Sequence, residues 1–124
     1  MKVKEIKKNI ETLIEKGFLS EKEKQALIKL IAELKASWPA VKVKLFGSKV
    51  KGKADEESDL DVLILLPCHI SEDIRRQIIH KIFDLNLSFE TNISPLIMSE
   101  KEWEIGFIPL LPIHDYIEEE GVAL

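Results

Sequence analysis

Two aspartates, Asp59 and Asp61, open an apolar run that continues through Val62, Leu63, Ile64, Leu65 and Leu66. In a strand, side chains alternate between faces, so the two carboxylates point the same way, about 7 Å apart along the chain. Both ionise at neutral pH, and burying such a pair without a counter-charge is costly. A divalent cation removes that cost. Hard carboxylate oxygens suit Mg²⁺, which takes one or two protein carboxylates and completes its shell with water and substrate phosphates. Gly47 and Ser48 stand upstream, just after another strand-like stretch. Backbone N–H groups and a hydroxyl at such a turn can hold a triphosphate.

The elements that must position these residues are legible from periodicity. Val41 to Leu45 alternates with period two, as a half-buried strand does, and a polar loop covers 47–58. A second strand runs from Asp59 to Leu66 and stops at Pro67; its unbroken apolar stretch predicts a central position covered on both faces. Ser71, followed by Glu72 and Asp73, caps a helix whose buried face carries Ile74, Ile78, Ile82 and Leu85, joined by Ile79 and Phe83 on the flank. Phe89 to Met98 reads as a third strand, with Glu90, Asn92 and Ser94 on one face. Before the first strand, Val3, Ile6, Ile10, Leu13 and Ile14 form one helical stripe that stops at Gly17. A capping box at Ser20 and Glu23 opens a second helix, with Leu27, Leu30, Ile31 and Leu34 inside, ending before Trp38-Pro39. A further capping box at Ser99 and Glu102 starts a short helix through Trp103, and the tail from Pro109 to Gly121 ends in a helical turn.

With 124 residues, 45% hydrophobic and 32% charged, the sequence reads as one ordinary globular domain over 1–124, a helical hairpin at 1–37 preceding a core at 38–124. The net charge of −4 argues against a direct nucleic-acid footprint. Lys42, Lys44, Lys49, Lys51 and Lys53 nevertheless cluster around the Gly-Ser turn and are read together as an attraction for polyphosphate. Cys68 is alone, so no internal disulfide is expected. The start of the chain lacks the apolar block of a signal peptide, and no run approaches the roughly 20 apolar residues of a membrane span. The expected location is the cytoplasm, without a membrane partner.

The Gly-Ser, ten-residue gap and Asp-x-Asp pattern filled by Gly47, Ser48, Asp59 and Asp61 resembles the signature of nucleotidyltransferases related to DNA polymerase beta. Given the length, the likeness is to the minimal nucleotidyltransferase (MNT) group. The resemblance implies an α/β nucleotidyltransferase fold: a small mixed sheet with helices packed mainly on one face, plus the extra N-terminal hairpin. It also implies ATP as substrate and two Mg²⁺ ions, the usual arrangement for activating an attacking oxygen and neutralising pyrophosphate. Asp59 and Asp61 would then be catalytic metal ligands. Glu90, in the third strand where the family places a further carboxylate, would complete the site. Gly47 would let the backbone approach the phosphates, Ser48 would bond a phosphate oxygen, and Lys49, Lys51 or Lys53 would offset triphosphate charge. Ser58 would shape the turn before the first aspartate at the nucleotide site.

The chain has no room for an acceptor-binding domain, so the acceptor surface is expected to be small, or to come from a partner or a second copy in a homo- or hetero-oligomer. MNT proteins commonly pair with a helical HEPN protein; in such pairs the HEPN member is an RNase toxin, and the MNT antitoxin transfers AMP from ATP to one of its tyrosines. Two alternatives stand beside this: a small-molecule adenylyltransferase of the aminoglycoside-modifying type, and a non-catalytic antitoxin that neutralises by contact. A P-loop is set aside, because Gly47 to Lys53 is followed by Ala54 rather than the Ser or Thr that a P-loop needs for Mg²⁺. His69, His80 and His114 form no metal-binding spacing with Cys68 or with one another. Trp38 and Trp103 are read as core anchors, and the acidic run Glu118 to Glu120 as a solvated helix end.

Overall fold

A computed structural model describes residues 3–52 and 58–124. Helix α1 (Val3–Glu15) and helix α2 (Glu21–Ser37) form the predicted hairpin. The Ser20 hydroxyl accepts from the Glu23 N–H while Glu23 accepts from the Ser20 N–H, so the capping box closes as the sequence requires. Strand β1 (Lys42–Phe46) follows, then a four-residue helix α3 (Ser48–Lys51) inside the stretch expected to be loop. Strand β2 (Leu60–Leu66), helix α4 (Glu72–Phe89), strand β3 (Ile93–Ser99) and helix α5 (Glu100–Glu104) continue the chain. A 3₁₀ turn (Ile108–Leu110), helix α6 (Pro112–Glu120) and a two-residue strand β4 (Val122–Ala123) complete it.

The sheet is mixed, in the order β3-β2-β1-β4. Strand β2 runs antiparallel to β1 and parallel to β3, and β4 joins the far side of β1 antiparallel. The central position of β2 matches its apolar run: Leu60 and Val62 through Leu66 are all buried. One face of the sheet presents Val43, Leu45, Val62, Ile64 and Ile97 to the long helices, where Ile10 and Leu13 of α1, Leu27, Leu30 and Leu34 of α2, and Ile78, Ile82 and Leu85 of α4 close the core. Each such side chain stabilises the fold by about 2 kcal/mol on leaving water. The opposite face carries a smaller cluster, in which Phe46, Leu63 and Leu65 pack under Trp103 and Ile117. Helices thus lie mainly on one face, as expected.

Three expectations change. Helix α4 runs on to Phe89, and Glu90 is its C-cap in a left-handed conformation (φ 56°), so β3 begins only at Ile93. Asn86 causes the switch: its side chain accepts from the Ile93 N–H (2.9 Å) and the Thr91 hydroxyl (2.9 Å) and donates to the Ile93 carbonyl (3.1 Å), folding residues 90–92 into a braced turn. Second, Ile79 and Phe83 do not join the core; they are 46% and 61% exposed. Third, β4 is a strand the tail did not announce, two residues being too few to show a period.

Candidate active site

Residue pairing brings the motif together. Phe46 pairs with Asp61 across β1 and β2, so the chain leaves β1 at Gly47 directly beside the Asp61 carboxylate. Gly47 has φ +85°, and a Cβ there would land on Asp61 Oδ2. Only glycine meets both conditions, the left-handed backbone and the vacant side-chain position. Ser48 then opens α3 next to this carboxylate. Asp59, just before β2, is exposed, and Asp61 is partly buried on the same sheet face as Leu63 and Leu65. The cover formed by Trp103 and Ile117 lies over Phe46, Leu63 and Leu65, leaving Asp61 beyond it with one side open.

The electrostatics are those of an unmatched pair. Burial, and then the negative charge of Asp59, push the Asp61 carboxyl above its usual range. A cation brought between these groups lowers the cost of ionising both. The donor chemistry therefore fits a divalent ion, with carboxylate oxygens from one or two residues and the remaining positions left for water and phosphate.

Among the described residues no third carboxylate joins them. The β3 residue opposite Asp61 is Ser94, and β3 contains no acidic residue. Glu90, expected there, ends α4 with its side chain 78% exposed and paired to Lys22 at 3.4 Å. It lines a cavity of about 600 Å³ with Lys16, Phe18, Lys22, Ser58 and Asn92, which neither Asp59 nor Asp61 lines. Among the described residues no three His, Cys, Asp or Glu side chains gather into a metal-binding group. Among the described residues, Glu90 therefore does not stand with Asp59 and Asp61 as expected. The reason is the helical C-cap at Glu90, which shortens the strand.

The lysines are also redistributed. Lys49 is buried and paired to Glu23 at 3.4 Å, tying α3 to α2, so its charge is held inside the fold rather than offered to a phosphate. Lys42 and Lys44 reach Glu100 (3.2 Å) and Glu118 (3.5 Å) on the C-terminal segment. Lys51 sits 4.6 Å over the Tyr116 ring, which links α3 to α6 at the margin of the site. Lys53 lies outside the described residues. Ser58 borders the 600 Å³ cavity immediately before Asp59.

Two residues with a structural part were missed. Glu118, read as a solvated helix end, accepts the buried Trp103 indole N–H at 2.6 Å, and that bond holds its carboxyl below the usual range. A buried tryptophan must satisfy its one donor, which is the signal that could have pointed to a carboxylate nearby. Ser94 could be found only from the β2–β3 register.

Comparison with known proteins agrees with this geometry. Residues 27–122 match the family model described as "Nucleotidyltransferase domain". The chain is 33% identical over 104 residues to a protein of Methanocaldococcus jannaschii named "Putative protein adenylyltransferase", an alignment covering 79% of this chain and 98% of that protein. No helix among the described residues is long and apolar enough to cross a membrane.

Proposed function

The chain belongs to the nucleotidyltransferase domain family, and from that premise we propose that it transfers AMP from ATP to a tyrosine hydroxyl of a helical HEPN-family partner, neutralising a toxin. The observation that carries the reading is the Asp59–Asp61 pair beside Gly47, a like-charged site open on one side. The name of the archaeal relative supports a protein acceptor. The net charge of −4 suits a protein acceptor better than RNA.

In this reading Asp59 and Asp61 hold Mg²⁺ together with the triphosphate. Bound there, the ion supplies positive charge against the phosphates and the departing pyrophosphate. Gly47 lets the phosphates approach the backbone, and the Ser48 hydroxyl donates to a β- or γ-phosphate oxygen. The acceptor oxygen attacks the α-phosphorus, the bond to pyrophosphate breaks, and the tyrosine proton is lost to solvent or to a site carboxylate.

The lack of a carboxylate on β3 favours one rival, a module that neutralises its partner by binding alone. Incubation with α-labelled ATP, Mg²⁺ and the partner separates the two. Transfer predicts label on a partner tyrosine, lost in the Asp59→Ala/Asp61→Ala double variant. Label appearing equally with both proteins would refute the site, and tight complex formation without label would establish the binding module.

A further inference from the structure

Helix α4 has a second apolar stripe that nothing among the described residues covers. Ile79, Phe83 and Leu87 recur every four residues and are 46%, 61% and 66% exposed. Residues at this spacing stack on one side of a helix, here flanking the face that buries Ile78, Ile82 and Leu85. A contiguous stripe of large apolar side chains on a surface helix marks an interaction site more often than chance exposure.

What lies at the two ends of the stripe identifies the occupant. Arg76 precedes Phe83 by seven residues, two helical turns, and Glu90, the C-cap just past the end of α4, follows it by seven. Arg76 is 65% exposed, and its carboxylate neighbour, Asp73, is on its own helix at 3.8 Å; Glu90 is 78% exposed beside Lys22. Turning a second α4 antiparallel about Phe83 sets Phe83 against Phe83, Ile79 against Leu87, and His80 against Asn86. The same operation brings Arg76 against Glu90 at both ends, about 21 Å apart along the helix. A two-fold interface requires one patch to complement itself, and this stripe does so in its apolar pattern and in charge.

We propose that α4 is a homodimer interface, in which two copies of this chain pair their α4 helices antiparallel about Phe83. Neither Asp59 nor Asp61 belongs to this stripe of α4, and the dimer stands or falls independently of the transfer reaction.

Sedimentation equilibrium tests it. The full chain at about 100 µM, well above a micromolar dissociation constant, should show twice its 14.2 kDa mass. Phe83→Glu, at an exposed position, should give the single-chain mass with an unchanged circular dichroism spectrum. Arg76→Glu and Glu90→Arg should each weaken the dimer about tenfold, and the two together should restore it. A wild-type chain that remains monomeric at that concentration overturns the proposal, even if it captures a different protein through the same stripe. So does a dimer indifferent to Phe83→Glu, or a charge-reversed pair that fails to recover.

Discussion

Two pairs of charged residues flank α3, and they are built in opposite ways. Glu23 and Lys49 are a matched pair, with side chains 11% and 8% exposed and 3.4 Å apart. Asp59 and Asp61 are an unmatched pair, and burial together with mutual repulsion raises the Asp61 carboxyl above its ordinary range. The first is complete within the chain; its removal disturbs the hairpin. The second has no partner cation among the described residues. A charged residue near a phosphate motif is therefore no guide to chemistry by itself. What separates architecture from reaction is whether the fold already supplies the counter-charge.

The contrast can be broken most sharply at the aspartates. Asp59→Ala/Asp61→Ala should lower nucleotide transfer about 1000-fold or more, the scale of several kcal/mol of lost charge stabilisation, while the urea-unfolding midpoint does not fall. Lys49→Met should do the reverse. Leaving Glu23 buried and unpaired costs about 3 kcal/mol, read as a lower urea midpoint, with a smaller effect on transfer; a loss under about 1 kcal/mol would show that the pair is surface-like.

Two smaller effects concern pH and have opposite signs. The Asp61 carboxyl is raised in the fold, so its ionised form subtracts stability, which returns as pH falls through the folded value. Asp61→Asn should accordingly raise the metal-free melting temperature at neutral pH, with the difference vanishing below the ordinary carboxylate range. The Glu118 carboxyl is lowered, first by the Trp103 indole N–H, so its contribution is present above the ordinary carboxylate range and lost as pH falls through the folded value. Glu118→Gln should flatten that acid limb in a melting series, a modest change because the carboxylate is well exposed. Smallest of all, Glu90→Gln should leave transfer within about twofold of wild type; a large fall in turnover would return Glu90 to the site.

The candidate site was legible where its logic is local. Gly47, Ser48, Asp59 and Asp61 belong to two adjacent strand ends, and period two alone puts both aspartates on one face. Glu90 was misread because hydrophobic period locates a helix but not its last turn; the end of α4 is set by the Asn86 side chain bonding across to Ile93. The lysine cluster was misread for a different reason. Lys44 and Glu118 are 74 residues apart, and only the closed sheet, with α6 returning over it, makes them partners. Ile79 and Phe83 lie at the edge of the apolar arc, where period cannot say how far a neighbouring element extends.

The central claim is that the Asp59–Asp61 pair holds the cation that carries the triphosphate. Calorimetric titration of ATP into the chain, with and without Mg²⁺, tests it without any acceptor. Mg²⁺-dependent binding should be present in the wild type and lost in Asp59→Asn/Asp61→Asn. Equal affinity in that variant, or binding indifferent to Mg²⁺, would contradict the account.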